Sequence, residues 1–215
     1  MKVVVTGSSN GIGKAIAQKF LDCGHSVVGI DKVQSGLSHV SYTHILADIF
    51  ADALPKIDGV EVLVNNAGVQ DSGCDIDVNL KGTIRVTEKY GVQPNIKSIV
   101  FIASASASTG SEFPEYVASK GGMVSYMKNV ALRIAPFGAT SNSLSPGGVV
   151  TALNQHIIDN PELWQQVMDE TPLKKWATAT EIAEWTYFVA VINKSMTAQN
   201  IIIDNGEAAR ANFVW

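Results

Sequence analysis

Short, unbroken apolar runs alternate with amphipathic stretches along almost the whole chain, and that alternation leaves few folds open. Val3-Val4-Val5, Val27-Val28-Gly29-Ile30, Thr43-His44-Ile45-Leu46 and Val60-Glu61-Val62-Leu63-Val64 read as strands. So do Ser98-Ile99-Val100-Phe101-Ile102 and Asn200-Ile201-Ile202-Ile203-Asp204. Residues 139–145, Ala-Thr-Ser-Asn-Ser-Leu-Ser, stand where a further strand belongs, although they are polar for a buried one. Helical patterns fill 12–23, 77–90, 115–135, 161–170 and 180–191, and a short helix is expected near 50–54. Strands that are apolar on both faces, set between helices, mean a parallel sheet covered on both sides. The expectation is an α/β, doubly wound parallel sheet of about seven strands, with ligands at the carboxyl ends of the strands.

No linker, repeat or low-complexity stretch divides the 215 residues, so residues 1–215 read as a single domain. The 46% apolar share can fill its core. With 17% charged residues and a net charge of -4, the chain lacks the basic stripe of a nucleic-acid binder. No apolar run approaches the roughly 20 residues of a membrane span. Met1 to Thr6 runs directly into a strand and a turn, without the pattern of a signal peptide. Cys23 and Cys74 lack metal spacing and read as reduced residues of a cytoplasmic protein. His25, His39, His44 and His156 form no ligand pattern, so no metal is expected.

After the first strand comes Thr6-Gly7-Ser8-Ser9-Asn10-Gly11-Ile12-Gly13, which opens a helix. Glycines let the backbone turn tightly and come close to a ligand. The free N–H groups at the helix start favour a pyrophosphate. The spacing is Gly-x-x-x-Gly-x-Gly, and such a turn can also be plain strand-to-helix geometry. Its place between strand and helix favours a Rossmann-like nucleotide site. Asp31 closes the second strand, about 20 residues on, where an acid binds the ribose hydroxyls of NAD and repels a 2′-phosphate. Lys32 beside it softens that repulsion, but the expected cofactor is NAD, with NADP second.

Tyr116 and Lys120, four residues apart, share one face of a helix. A phenol titrates near pH ~10, and a close ammonium favours its phenolate. The pair suits a proton donor and acceptor, although such pairs also occur on ordinary solvated helix faces.

With these motifs in order, the chain resembles the short-chain dehydrogenase/reductase family from its first strand to its last. Gly7, Ser9, Asn10, Gly11, Ile12 and Gly13 match the cofactor turn, and Asp48 stands where the family's acid contacts the adenine. Asn65-Asn66-Ala67-Gly68 resembles the fourth-strand motif that lines the cofactor cleft; Asn66, Ala67 and Gly68 are its candidate contacts. Pro146, Gly147, Val149 and Thr151 match the loop that holds the nicotinamide carboxamide. Asn79, Ser104, Tyr116 and Lys120 match the catalytic set. Ser106 rivals Ser104, because the spacing from Ser104 to Tyr116 is one residue shorter than in the family. The segment from Gly68 to Asn79 is also short, which trims the fourth helix and the surfaces through which such proteins dimerise.

The resemblance implies reversible hydride transfer between NAD and a secondary alcohol or ketone. Tyr116 would exchange the proton with the substrate oxygen and Lys120 would tune Tyr116 and bind the nicotinamide ribose. Ser104 would hydrogen-bond the substrate oxygen, and Asn79 would hold a water linking Lys120 to solvent. A dinucleotide sensor or scaffold without turnover is the alternative from another class. An NADP-preferring carbonyl reductase is a third. The epimerases and dehydratases of the extended relatives need a longer C-terminal region. Residues 105–113 and 148–176, and the tail 211–215, are expected to wall the substrate pocket, with Trp164, Trp176, Phe113, Met168 and Leu153 as its apolar part. The segment 151–171 is expected to act as a lid, and the aromatic tail suggests a homodimer or homotetramer.

Overall fold

The computed structural model describes residues 1–111 and 113–209. Residues 211–215, the expected pocket and oligomer tail, lie outside the described residues. The central sheet is parallel throughout and has seven strands in the order β3-β2-β1-β4-β5-β6-β9. These are β1 (Lys2–Thr6), β2 (Ser26–Asp31), β3 (Tyr42–Leu46), β4 (Val62–Asn65), β5 (Ser98–Ile102), β6 (Thr140–Pro146) and β9 (Asn200–Ile203). A separate two-stranded pair joins β7 (Val149–Val150) to β8 (Ala177–Thr178). The chain runs outward from β1 to β3 and then returns to set β4 beside β1, with Val4 opposite Leu63. That reversal opens a crevice at the carboxyl ends of β1 and β4.

Alternate strand residues face opposite sides and build two cores. Val4, Leu63, Ile99 and Phe101 pack with α2 (Thr83–Tyr90) and α4 (Pro114–Ile134). Val3, Val5, Val62, Val64, Val100 and Ile102 pack with α1 (Gly11–Asp22) and α7 (Ala179–Tyr187). The polar strand β6 is buried because its side chains are paired. Ser141 Oγ donates to the Met127 carbonyl, and Ser143 and Ser145 both donate to Asn200 Oδ1.

Three local expectations change. No helix forms at 50–54. Asp48 Oδ1 accepts the amides of Phe50 and Ala51, and the Arg85 guanidinium takes the carbonyls of Ile49, Phe50 and Asp52. The turn's polar groups are thereby used up before a helix can propagate. The helix expected at 77–90 begins as a π-helical segment, Ile76–Gly82, and becomes α2 only from Thr83. Short helices α3 (Ser106–Thr109) and α5 (Gln155–Ile158) form where no helix is expected, whereas α6 (Pro161–Glu170) stands on the expected helix.

Candidate active site

Two adjoining clefts lie at the carboxyl end of the sheet. The smaller, about 360 Å³, is lined by Gly7, Asn10, Gly11, Asp31, Asp48 and Ala67 among others. The larger, about 790 Å³, is lined by Ser104, Tyr116, Lys120, Pro146, Gly147 and Val149 among others. Ile12, Asn66, Gly68, Val69, Thr151 and Leu153 line both.

The floor of the smaller cleft is stitched across the crevice. Thr6 Oγ1 accepts the amides of Asn66 at 3.0 Å and Ala67 at 3.1 Å, and Asn66 Nδ2 donates to the carbonyls of Thr6 and Gly7. A Cβ on Gly13 would stand 2.0 Å from the Gly7 carbonyl oxygen, so this crossing admits no side chain there. Gly7 itself has φ +67, a conformation that suits glycine. Gly13 and Ser9 thus shape the turn from behind: Ser9 is 3% exposed and its hydroxyl donates to the Val33 carbonyl. Helix α1 starts at Asn10 without a side-chain cap, and Asn10, Gly11 and Ile12 border the cleft. The Asp31 carboxylate accepts the amides of Ser9 and Val33, one on each oxygen. A second lone pair remains on each oxygen.

Ser104 lies just past β5 and borders the larger cleft, whereas Ser106 is turned into the protein, 3% exposed. Ser106 donates to Ser104 Oγ twice, from its amide at 3.2 Å and from its hydroxyl at 2.9 Å. Helix α4 begins with Pro114 at its first turn, which places Tyr116 near its positive end. One turn on, Lys120 is 4% exposed, with Nζ 5.6 Å from the centre of the Tyr116 ring. Nζ also donates to the Ile102 carbonyl at 3.0 Å, which ties the lysine to the end of β5.

Asn79 is fully buried behind this wall. Its Nδ2 donates to the Val69 carbonyl and Ser119 Oγ, and its Oδ1 accepts the Val69 amide. Ser119 Oγ in turn donates to the Tyr116 carbonyl at 2.7 Å. Asn79 Oδ1 and Lys120 Nζ would stand 3.1 and 3.4 Å from a Cβ on Gly68, so the bare glycine lets them converge. With both amide protons used, a water beside Asn79 would have to donate to Oδ1.

The roof is α6, whose Leu163, Gln166, Val167 and Glu170 share one face over the cleft. Trp176 closes the far end, because the β7–β8 pairing lays its indole on Gly148. Leu153 also lines the cleft as expected, but the remaining expected wall residues go elsewhere. Segment 105–111 turns into α3 and packs on α4, Phe113 is 41% exposed, and Met168 of α6 is buried without bordering the cleft. Trp164 stands edge-on to Trp176 at 5.1 Å. Gln166, Glu170 and Glu207 border the cleft and had no motif to announce them. The available signal for Glu207 was its place just past the last strand, where sites collect.

A family model described as enoyl-(acyl carrier protein) reductase matches residues 7–207. The chain is similar to a glucose 1-dehydrogenase from Gluconobacter oxydans, 27% identical over 99% of this chain and 93% of that protein. It is also similar to a D-beta-hydroxybutyrate dehydrogenase from Rhizobium meliloti, 30% identical over 96% of this chain and 98% of that protein. Among solved structures, ligand-free aldohexose dehydrogenase from Thermoplasma acidophilum superimposes with a TM-score of 0.86. That structure is 26% identical and is matched over 100% of this chain and 96% of its own. The crevice at the strand reversal, the stitched glycine turn and these matches along the whole chain agree: the chain belongs to the short-chain dehydrogenase/reductase family, oxidoreductases of alcohol- and ketone-type substrates that bind a nicotinamide dinucleotide.

Proposed function

We propose that this protein transfers hydride reversibly between NAD and a secondary alcohol or ketone, with Tyr116 as general acid and base. The observation that carries the reading is the convergence of Ser104, Tyr116 and Lys120 on one wall of the cleft that continues past Thr151 to Asp31.

The residues present fit a dinucleotide. Gly7, Gly11 and the open start of α1 would hold the pyrophosphate, Asp31 the adenosine ribose and Asp48 the adenine edge. Pro146, Gly147, Val149 and Thr151 would hold the nicotinamide end. The bound cofactor supplies or accepts the hydride. The protein does the rest. The Ser104 hydroxyl, whose oxygen already accepts from Ser106, donates to the substrate oxygen as charge develops there. Tyr116 takes the alcohol proton or returns it, and the Lys120 ammonium stabilises negative charge on the phenol oxygen. Asn79 holds Val69 and, through Ser119, the first turn of α4. It sets the position of Tyr116, and a water on its Oδ1 would lead from Lys120 toward solvent.

NAD is favoured over NADP because Asp31 would repel a 2′-phosphate. Tyr116→Phe is expected to lower turnover by about 10²–10⁴-fold with NADH affinity unchanged. Near-full turnover of that variant overturns the role of Tyr116, and a higher kcat/KM with NADP overturns the role of Asp31. A homodimer or homotetramer belongs to the same reading. Trp185 on α7, Phe188 and Ile192 on the π-helical segment that continues it (Phe188–Ile192), and Ile202 on the edge strand β9 are exposed, which supports self-association. A monomeric boundary in sedimentation velocity at micromolar concentration overturns it.

A further inference from the structure

Past Ser104 and Tyr116 the larger cleft becomes a wall of acceptors and amides. Glu207 Oε1 accepts from Thr171 Oγ1 at 2.8 Å, while Oε2 lies over Gly147, 3.0 Å from where a Cβ would stand. Gln166 and Glu170 hang from the roof, and Asn154, whose Nδ2 donates to the Val149 carbonyl, borders the same space. Trp176, Leu153 and Val149 supply flat apolar surface between them. Among the described residues Lys120 is the one cation that borders the cleft, and it is tied to the Ile102 carbonyl.

The spacing follows from the sheet. Ser104, Gly147 and Glu207 follow the adjacent strands β5, β6 and β9. The backbones of β5 and β9 stand two strand spacings apart, about 10 Å, and the Glu207 side chain reaches back over Gly147, one strand nearer to Ser104. A substrate whose reacting carbon lies against Ser104 therefore presents atoms several bonds away to Glu207. A carboxylate there accepts hydrogen bonds and repels another carboxylate. Amides beside it both donate and accept, as a hydroxyl does. We infer that Glu207, with Gln166 and Asn154, forms a subsite for the remote hydroxyl groups of a neutral polyhydroxylated substrate of the hexose or hexitol kind. The inference rests on the alcohol–ketone reading above and narrows it against simple alcohols and hydroxy acids.

The test compares the wild-type protein with Glu207→Gln, which keeps an oxygen for Thr171 and removes the charge. The probes are D-glucose, D-galactose, D-mannose and D-glucitol, against cyclohexanol and 3-hydroxybutyrate, with NAD and NADP in turn. The expected result is a polyhydroxylated probe as the best substrate, with kcat/KM lowered about 10- to 100-fold in Glu207→Gln. Turnover of cyclohexanol should be unchanged, which a merely structural role for Glu207 would not give. Equal losses on both kinds of probe, no loss, or a preference for 3-hydroxybutyrate overturns the subsite and leaves the oxidoreductase reading standing. Calorimetry of the sugars and of D-glucitol with the NADH-loaded protein separates the two readings. Binding that depends on Glu207 with no turnover of any probe upholds the subsite and overturns the redox reading. No binding and no turnover overturns both.

Discussion

Ser104 Oγ accepts two hydrogen bonds from Ser106, so the Ser104 proton is the one left to point into the cleft. Ser106 then acts through Ser104, and the two serines should behave as a unit. Ser106→Ala is expected to lower kcat about 3- to 10-fold, the share of one neutral hydrogen bond. In a Ser104→Ala background the same change should do almost nothing, and an undiminished second loss in that double-mutant cycle would show that Ser106 acts only on the fold. Gly13→Ala places a methyl 2.0 Å from the Gly7 carbonyl and should weaken NADH binding at least 10-fold, measured by fluorescence titration. The sequence put Ser104 first and kept Ser106 as its rival, because spacing carries no information on which hydroxyl is turned inward. It placed Ser9 and Gly13 at the turn but not behind it, since the close crossing with Asn66 is made by a strand some sixty residues away.

Among the elements, strands of aliphatic residues and helices with a clear apolar face were legible from their period alone, and β1, β2, β5 and α6 fall where the pattern puts them. What escaped were places where polar partners distant in sequence decide. The turn at 48–52 is held by Arg85 of α2. The polar strand β6 does stand where one is expected, and its burial rests on Asn200, Met127 and Met196, which receive its side chains. The end of α2 carries a titration of its own. Tyr90 is 3% exposed and its hydroxyl donates to the Pro55 carbonyl at 2.6 Å. Burial pushes its phenol up to about 12, Arg85 opposing, from an ordinary value of 10.0. A raised folded value favours the protonated form, so this stability is complete below pH 10 and is lost as pH rises toward 12. Urea titrations should show stability falling across that window, and Tyr90→Phe should flatten part of the fall. An identical pH dependence in the variant would exclude Tyr90 as a contributor.

For the molecule as a whole, a ligand that bridges β1, β4 and β6 stabilises every layer it touches. NADH at 100 times its dissociation constant adds about 2.7 kcal/mol. For a chain of this size that is roughly 5–10 °C in Tm. NADPH at equal concentration should give a smaller shift, and an equal or larger one would contradict the role given to Asp31. One more consequence follows from the six residues, Ile12, Asn66, Gly68, Val69, Thr151 and Leu153, that the two clefts have in common. A dinucleotide laid along them becomes part of the floor on which the alcohol rests, and an alcohol already seated beneath α6 would obstruct its entry. Arrival and departure should therefore be sequential, coenzyme first in and last out. In product-inhibition kinetics NADH should compete with NAD, and the ketone should not compete with the alcohol.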